Sequence, residues 1–143
     1  MKSARMPSLS SLLAALLLLL AAVLPVHAAE EYAPLPEQGE TCAIGSDYSF
    51  TWQFNKKPQL GLVILKIKLL DKDGRLDTSL KITGDSGMPS MSHHDTGEKD
   101  FKLNKKGDYL LPVDVVMPGE WAVKVVFYKE REVIYRGIIK FDV

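Results

Sequence analysis

Asp47-Tyr48-Ser49-Phe50-Thr51-Trp52-Gln53-Phe54 alternates aromatic and polar residues without a break. A period of two over that length is the signature of a half-buried strand, with Tyr48, Phe50, Trp52 and Phe54 on one face. Regular alternation of this kind marks the core side of a sheet more readily than a sugar or peptide groove. Asn55-Lys56-Lys57-Pro58 interrupts the pattern, and Leu62 to Leu70 resumes it. There Val63, Leu65, Ile67 and Leu69 share one face, while Lys66 and Lys68 point the other way. Asp71-Lys72-Asp73-Gly74 has the composition of a turn.

Further along, Leu80 to Thr83, Phe101 to Leu103, Tyr109 to Val116, Trp121 to Tyr128 and Val133 to Val143 carry the same strand composition, and turn signals separate them. The longest polar stretch, residues 84–100 (GDSGMPSMSHHDTGEKD), reads as a loop. About seven strands at such spacing, with no helical period, predict an all-β antiparallel immunoglobulin-like sandwich over residues 45–143. The expected core is Phe50, Trp52, Phe54, Val63, Leu65, Ile67, Tyr109, Leu111, Val123, Val125 and Phe127. Tyr109, after the Gly107 corner, is placed like the tyrosine whose hydroxyl ties a corner in such sandwiches.

Upstream, Lys2 and Arg5 precede an uncharged run over residues 9–24, then Pro25 and Val26-His27-Ala28. A basic start, a short apolar run and small residues at −3 and −1 predict a secretory signal peptide over residues 1–28. The run is shorter than the ~20 residues of a membrane span, so no stable insertion is expected after cleavage. The predicted location is periplasmic or otherwise extracytoplasmic. Residues 29–44, with two prolines and four glutamates, read as a flexible N-terminal arm.

Charge is balanced, 18 basic residues against 18 acidic. Setting Lys2 and Arg5 aside leaves a slightly acidic domain, which argues against nucleic acid or anionic membrane as partners. A single cysteine precludes an internal disulfide. With His27 in the signal, His93 and His94 are the remaining imidazoles, and that scarcity argues against an enzyme. Gly84-Asp85-Ser86-Gly87 is similar to the nucleophile loop of chymotrypsin-like proteases, but a triad is set by geometry and needs a larger scaffold, so a polar turn explains it better.

The methionines are distributed unusually. Beyond the signal they are Met88, Met91 and Met117; two precede proline, and Met91 lies two residues before His93. Thioether with imidazole favours Cu(I), whereas Mg and Ca seek carboxylates and zinc rarely accepts methionine. Pro89 at the second position of Met88-Pro89-Ser90-Met91 favours a β-turn, which brings residues 88 and 91 within about 7 Å. The candidate metal ligands are therefore Met88, Met91, Met117 and one of His93 and His94. A harder Cu(II) or zinc site from His93, His94 and Asp95 is a separate alternative. Against both stands the ordinary use of methionine as a gap-filler. Cys42 has three readings: a further soft ligand, an intermolecular disulfide partner, or a small buried residue.

Gly87-Met88-Pro89-Ser90-Met91, Gly107-Asp108-Tyr109 and Met117-Pro118-Gly119-Glu120-Trp121-Ala122-Val123-Lys124-Val125 together resemble the YtkA-like/FixH-like group of exported bacterial domains, over roughly residues 45–128. The resemblance implies an immunoglobulin-like sandwich and a role in copper handling or oxidase assembly. This chain departs from the usual Met-Pro-Met by Ser90. The expectation is an exported, non-catalytic copper-binding or copper-delivery domain serving an envelope or respiratory-complex acceptor. Its rivals are a metal-free protein-interaction module and, given exposed coplanar aromatics, a carbohydrate-binding domain.

Overall fold

The structure is a computed structural model that describes residues 30–91 and 96–143. The chain divides into Met1–Glu30 and Glu31–Val143, and the fold below is that of the second unit. No helix among the described residues is long and apolar enough to cross a membrane.

Among the described residues ten strands form two five-stranded sheets. In chain order they are β1 (Ala33–Pro34), β2 (Cys42–Ile44), β3 (Tyr48–Phe54), β4 (Gly61–Asp71), β5 (Lys81–Gly87), β6 (Lys99–Asp100), β7 (Lys102–Leu103), β8 (Tyr109–Val115), β9 (Glu120–Lys129) and β10 (Glu132–Asp142). One sheet has the order β1-β10-β9-β5-β6 and the other β2-β3-β4-β8-β7. All pairings are antiparallel except β1 with β10. The fold is an all-β sandwich of immunoglobulin-like type.

Register explains why the alternating pattern closes a core. Phe50, Trp52 and Phe54 lie opposite Leu69, Ile67 and Leu65, and Val63, Leu65 and Ile67 lie opposite Val113, Leu111 and Tyr109. These rows meet Val123, Val125 and Phe127 from the other sheet, and every expected core residue is buried. The Phe50 and Phe127 rings sit 4.6 Å apart across the sheets. Burying side chains of this size stabilises by roughly 2–3 kcal/mol each.

Two segments close the sides of the sandwich by passing from one sheet to the other. Lys99–Asp100 pairs with β5 and Lys102–Leu103 with β8, the buried Phe101 lying between them. On the opposite side Ala33–Pro34 pairs with β10 and Cys42–Ile44 with β3. Within the flexible arm expected over residues 29–44, residues 33–44 instead form a strap. The Trp52 indole N–H donates to the Pro36 carbonyl (2.9 Å), and the Gly39 N–H donates to the Trp52 carbonyl (2.9 Å). Prolines suit it because an edge strand can spare their missing N–H.

The polar stretch 84–100 is not all loop. Residues 84–87 continue β5 and are mostly buried. A Cβ on Gly84 would stand 2.5 Å from Leu111 Cδ2, so glycine here permits the sheets to approach. The Gly84-Asp85-Ser86-Gly87 run is strand and not an exposed turn.

Candidate metal centre

The two Met-Pro turns lie at the same end of the sandwich. β5 leads into Met88, and the Met91 N–H donates to the Met88 carbonyl at 2.9 Å, closing the expected turn over 88–91. Gly87 pairs with Ala122 at the start of β9, which places residues 117–120 alongside. The contact is direct: a Cβ on Gly119 would fall 2.6 Å from the Met88 Cε methyl. The 117–120 turn is itself pinned. The Trp121 indole N–H donates to the Met117 carbonyl (3.0 Å), and Gly119 exchanges backbone hydrogen bonds with Val143 (2.9 and 3.1 Å).

The three methionines differ in exposure. Met88 is only 5% exposed and belongs to the apolar core. Because β5 runs on through Gly87, position 88 keeps the inward parity of Ile82, Gly84 and Ser86. Met117 is half-buried against that core, whereas Met91 is 38% exposed. The candidate ligands His93 and His94, and Asp95 of the alternative harder site, lie outside the described residues. Just past them, Thr96 returns to β5: its N–H and Oγ1 both donate to the Ser86 carbonyl, at 3.2 and 3.1 Å. Among the described residues no group of three or more His, Cys, Asp or Glu converges as a metal site. The soft donors that the described residues bring to this end are the thioether sulfurs of Met88, Met91 and Met117.

Cys42 stands apart from this end. It is half-buried, with Sγ 3.2 Å from the Tyr135 hydroxyl. It pairs with Phe50, which packs on Phe127 opposite Ile82; Met88 is six residues further along, about 20 Å of extended strand. Burial, and then the Cys42 contact, push the Tyr135 hydroxyl up to about 12. Trp52 and Trp121 are both buried and bonded to backbone carbonyls, so neither offers a flat platform for a sugar.

Beyond the methionines, the sequence reading did not anticipate a polar cluster on β5 and β9. Thr83 Oγ1 (2.6 Å) and the Tyr128 hydroxyl (2.7 Å) both donate to one oxygen of Glu98. Those two bonds, Thr83's first, hold the Glu98 carboxyl below its ordinary value. The cluster fastens the segment before β6 to the sheet. Glu98 lies within the polar stretch and Thr83 and Tyr128 are ordinary strand residues, so only the pairing of β5 with β9 reveals it.

No family model matches the chain, and no curated protein matches it. Among solved structures, FetP of uropathogenic E. coli strain F11, in an as-isolated form expressed in the periplasm of E. coli BL21(DE3), is similar with a TM-score of 0.47 and 13% identity. The alignment covers 74% of this chain and 93% of that one.

Proposed function

We propose that this chain is an exported, non-catalytic domain that binds Cu(I) as cargo at the end of the sandwich where its two Met-Pro turns meet. Met88, Met91 and Met117 supply thioether donors and one of His93 and His94 the nitrogen. The acceptor is an envelope or respiratory-complex protein. The observation that carries this reading is the packing of the Met88 methyl on Gly119, which joins two methionine turns 29 positions apart in sequence. Thioether sulfur needs no deprotonation and forms no disulfide, which suits an oxidising compartment. The signal-like leader and the resemblance to the YtkA-like/FixH-like group support the same reading.

The test is an anaerobic Cu(I) competition titration of the purified protein. Binding near 1:1 is expected, and it should be lost in the Met88→Leu/Met91→Leu double variant. Leucine conserves the volume of methionine well enough to keep the fold. Undiminished affinity in a folded double variant would overturn the proposal.

A metal-free interaction module is the second reading, favoured by Leu60, Leu62 and Val116, which are 55, 53 and 59% exposed. Leu62 and Ile64 lie opposite Asp114 and Pro112, so these residues share the outer face of β4 and β8. On that reading residues 89–95, which spare the buried Met88 and the Thr96 and Glu98 anchors, can be replaced by Gly/Ser without loss of function; on the copper reading they cannot.

A further inference from the structure

Strand β10 is only partly covered on its outer side. The Leu35 N–H donates to the Ile138 carbonyl (3.0 Å), so Ile138 directs its backbone groups away from β9. Val143 bonds in both directions to Gly119, so the odd-numbered positions 139, 141 and 143 face β9. By that alternation Lys140 and Asp142 also point outward. The chain lays β1 along this edge at Gly137–Ile138 and then turns off at Pro36 toward Trp52. Beyond that point no partner among the described residues takes the outward N–H and C=O groups of Lys140 and Asp142.

These groups border a groove of about 330 Å³ between the edges of β10 and β3. Its apolar lining includes Trp52, Phe54, Phe141, Pro36 and Pro58. Phe54 stacks edge-on against both Trp52 (5.7 Å) and Phe141 (5.1 Å), so this side of the groove is rigid. Lys57 and Lys140 are balanced by Glu37 and Asp142, so the lining has no net sign.

We propose that this groove binds an extended peptide segment of a partner protein, which adds to β10 as a strand continuing the line that β1 begins. Backbone groups at alternate positions of the segment pair with Lys140 and Asp142, and one apolar side chain rests on the Phe54–Phe141 pair. The strap is the argument for this occupant: the same edge already accepts an extended chain and leaves the next two outward-facing residues open. Strand addition of this kind takes affinity from the main chain and specificity from the pocket. The inference is independent of copper.

The probe is a phage-displayed library of random nonapeptides, selected on the purified protein with a copper chelator present, and the best peptide is then used in solution. Enriched peptides should share an apolar position and slow amide exchange at Lys140 and Asp142. Their affinity should change less than about threefold between low and high salt, since the lining is neutral. Lys140→Pro removes the groove-side N–H, the one ladder donor that this edge of the strand can spare, together with the lysine side chain, and should weaken binding at least about tenfold with unchanged circular dichroism. N-methylation of alternate peptide amides should do the same and decides the matter if that variant misfolds. The proposal fails if no peptide is enriched, or if backbone methylation leaves affinity intact. It also fails if the peptide protects Leu60, Leu62 and Val116 instead. Slow exchange of the Lys140 and Asp142 amides in the free protein would overturn it too, since another part of this chain or a second copy would then hold the groove.

Discussion

The methyl group of Met88 lies 2.6 Å from the point where a side chain on Gly119 would begin, too close for both. Gly119 also holds φ at 136°, a backbone state that side chains disfavour. Gly119→Ala should therefore cost about 1–2 kcal/mol in chemical denaturation. It should also displace Met88 from its seat, because the methionine end is the softer side of the clash. If the copper reading holds, Cu(I) affinity falls more in this variant than its stability does.

Tyr109 ties the two sheets: its hydroxyl donates a 2.6 Å bond to the Leu80 carbonyl, at the entry to β5. Tyr109→Phe leaves that carbonyl without its partner and should cost about 1–3 kcal/mol. Burial first, then the charge of Asp77, push the Tyr109 hydroxyl up to about 12 from 10.0. The folded state thus holds this proton more tightly than the unfolded chain. Its contribution is complete below pH 10 and disappears as pH rises from 10 toward 12. Denaturant titrations across that window should show the wild-type losing more stability than Tyr109→Phe does.

The strap lies over Gly137, whose Cβ, if added, would stand 2.5 Å from Leu35 Cδ2. Gly137→Ala should push Leu35 and the strap outward in preference to the sheet, since a side-chain tip yields first. In a Trp121→Phe background, Trp52 emission should then shift to the red and become quenchable by iodide. An unchanged spectrum would mean that the strap tolerates the added carbon.

Glu130 begins the hairpin between β9 and β10 at φ 58°, the only non-glycine residue with positive φ among those described. The left-handed region costs an ordinary residue about 1–2 kcal/mol. Glu130→Gly should accordingly raise the unfolding midpoint, by about 1 kcal/mol equivalent after glycine's added freedom in the unfolded chain is deducted.

The central strands were legible because each buries one face. Alternation from Tyr48 to Phe54 and from Val63 to Leu69 forces the register found, and a slip of one residue would turn every aromatic outward. The strap was not legible, since Pro34, Pro36 and the glutamates look like loop, and its order comes from Trp52 and Ile138, far along the chain. The end of β5 is hidden in the sequence for a related reason. Gly84 and Gly87 carry turn composition, yet at position 84 glycine serves the approach of Leu111. The Met88–Met91 turn followed from Pro89 alone. The burial of Met88 did not, because it depends on β5 continuing through Gly87.

The doubly bonded pairing of Val143 with Gly119 has a practical side. Anything fused after Val143 emerges two residues from Met117. An oligohistidine tag placed there would set six borrowed imidazoles beside the methionine sulfurs, and imidazoles bind copper in their own right. Metal measurements on this protein accordingly call for a tag-free C terminus.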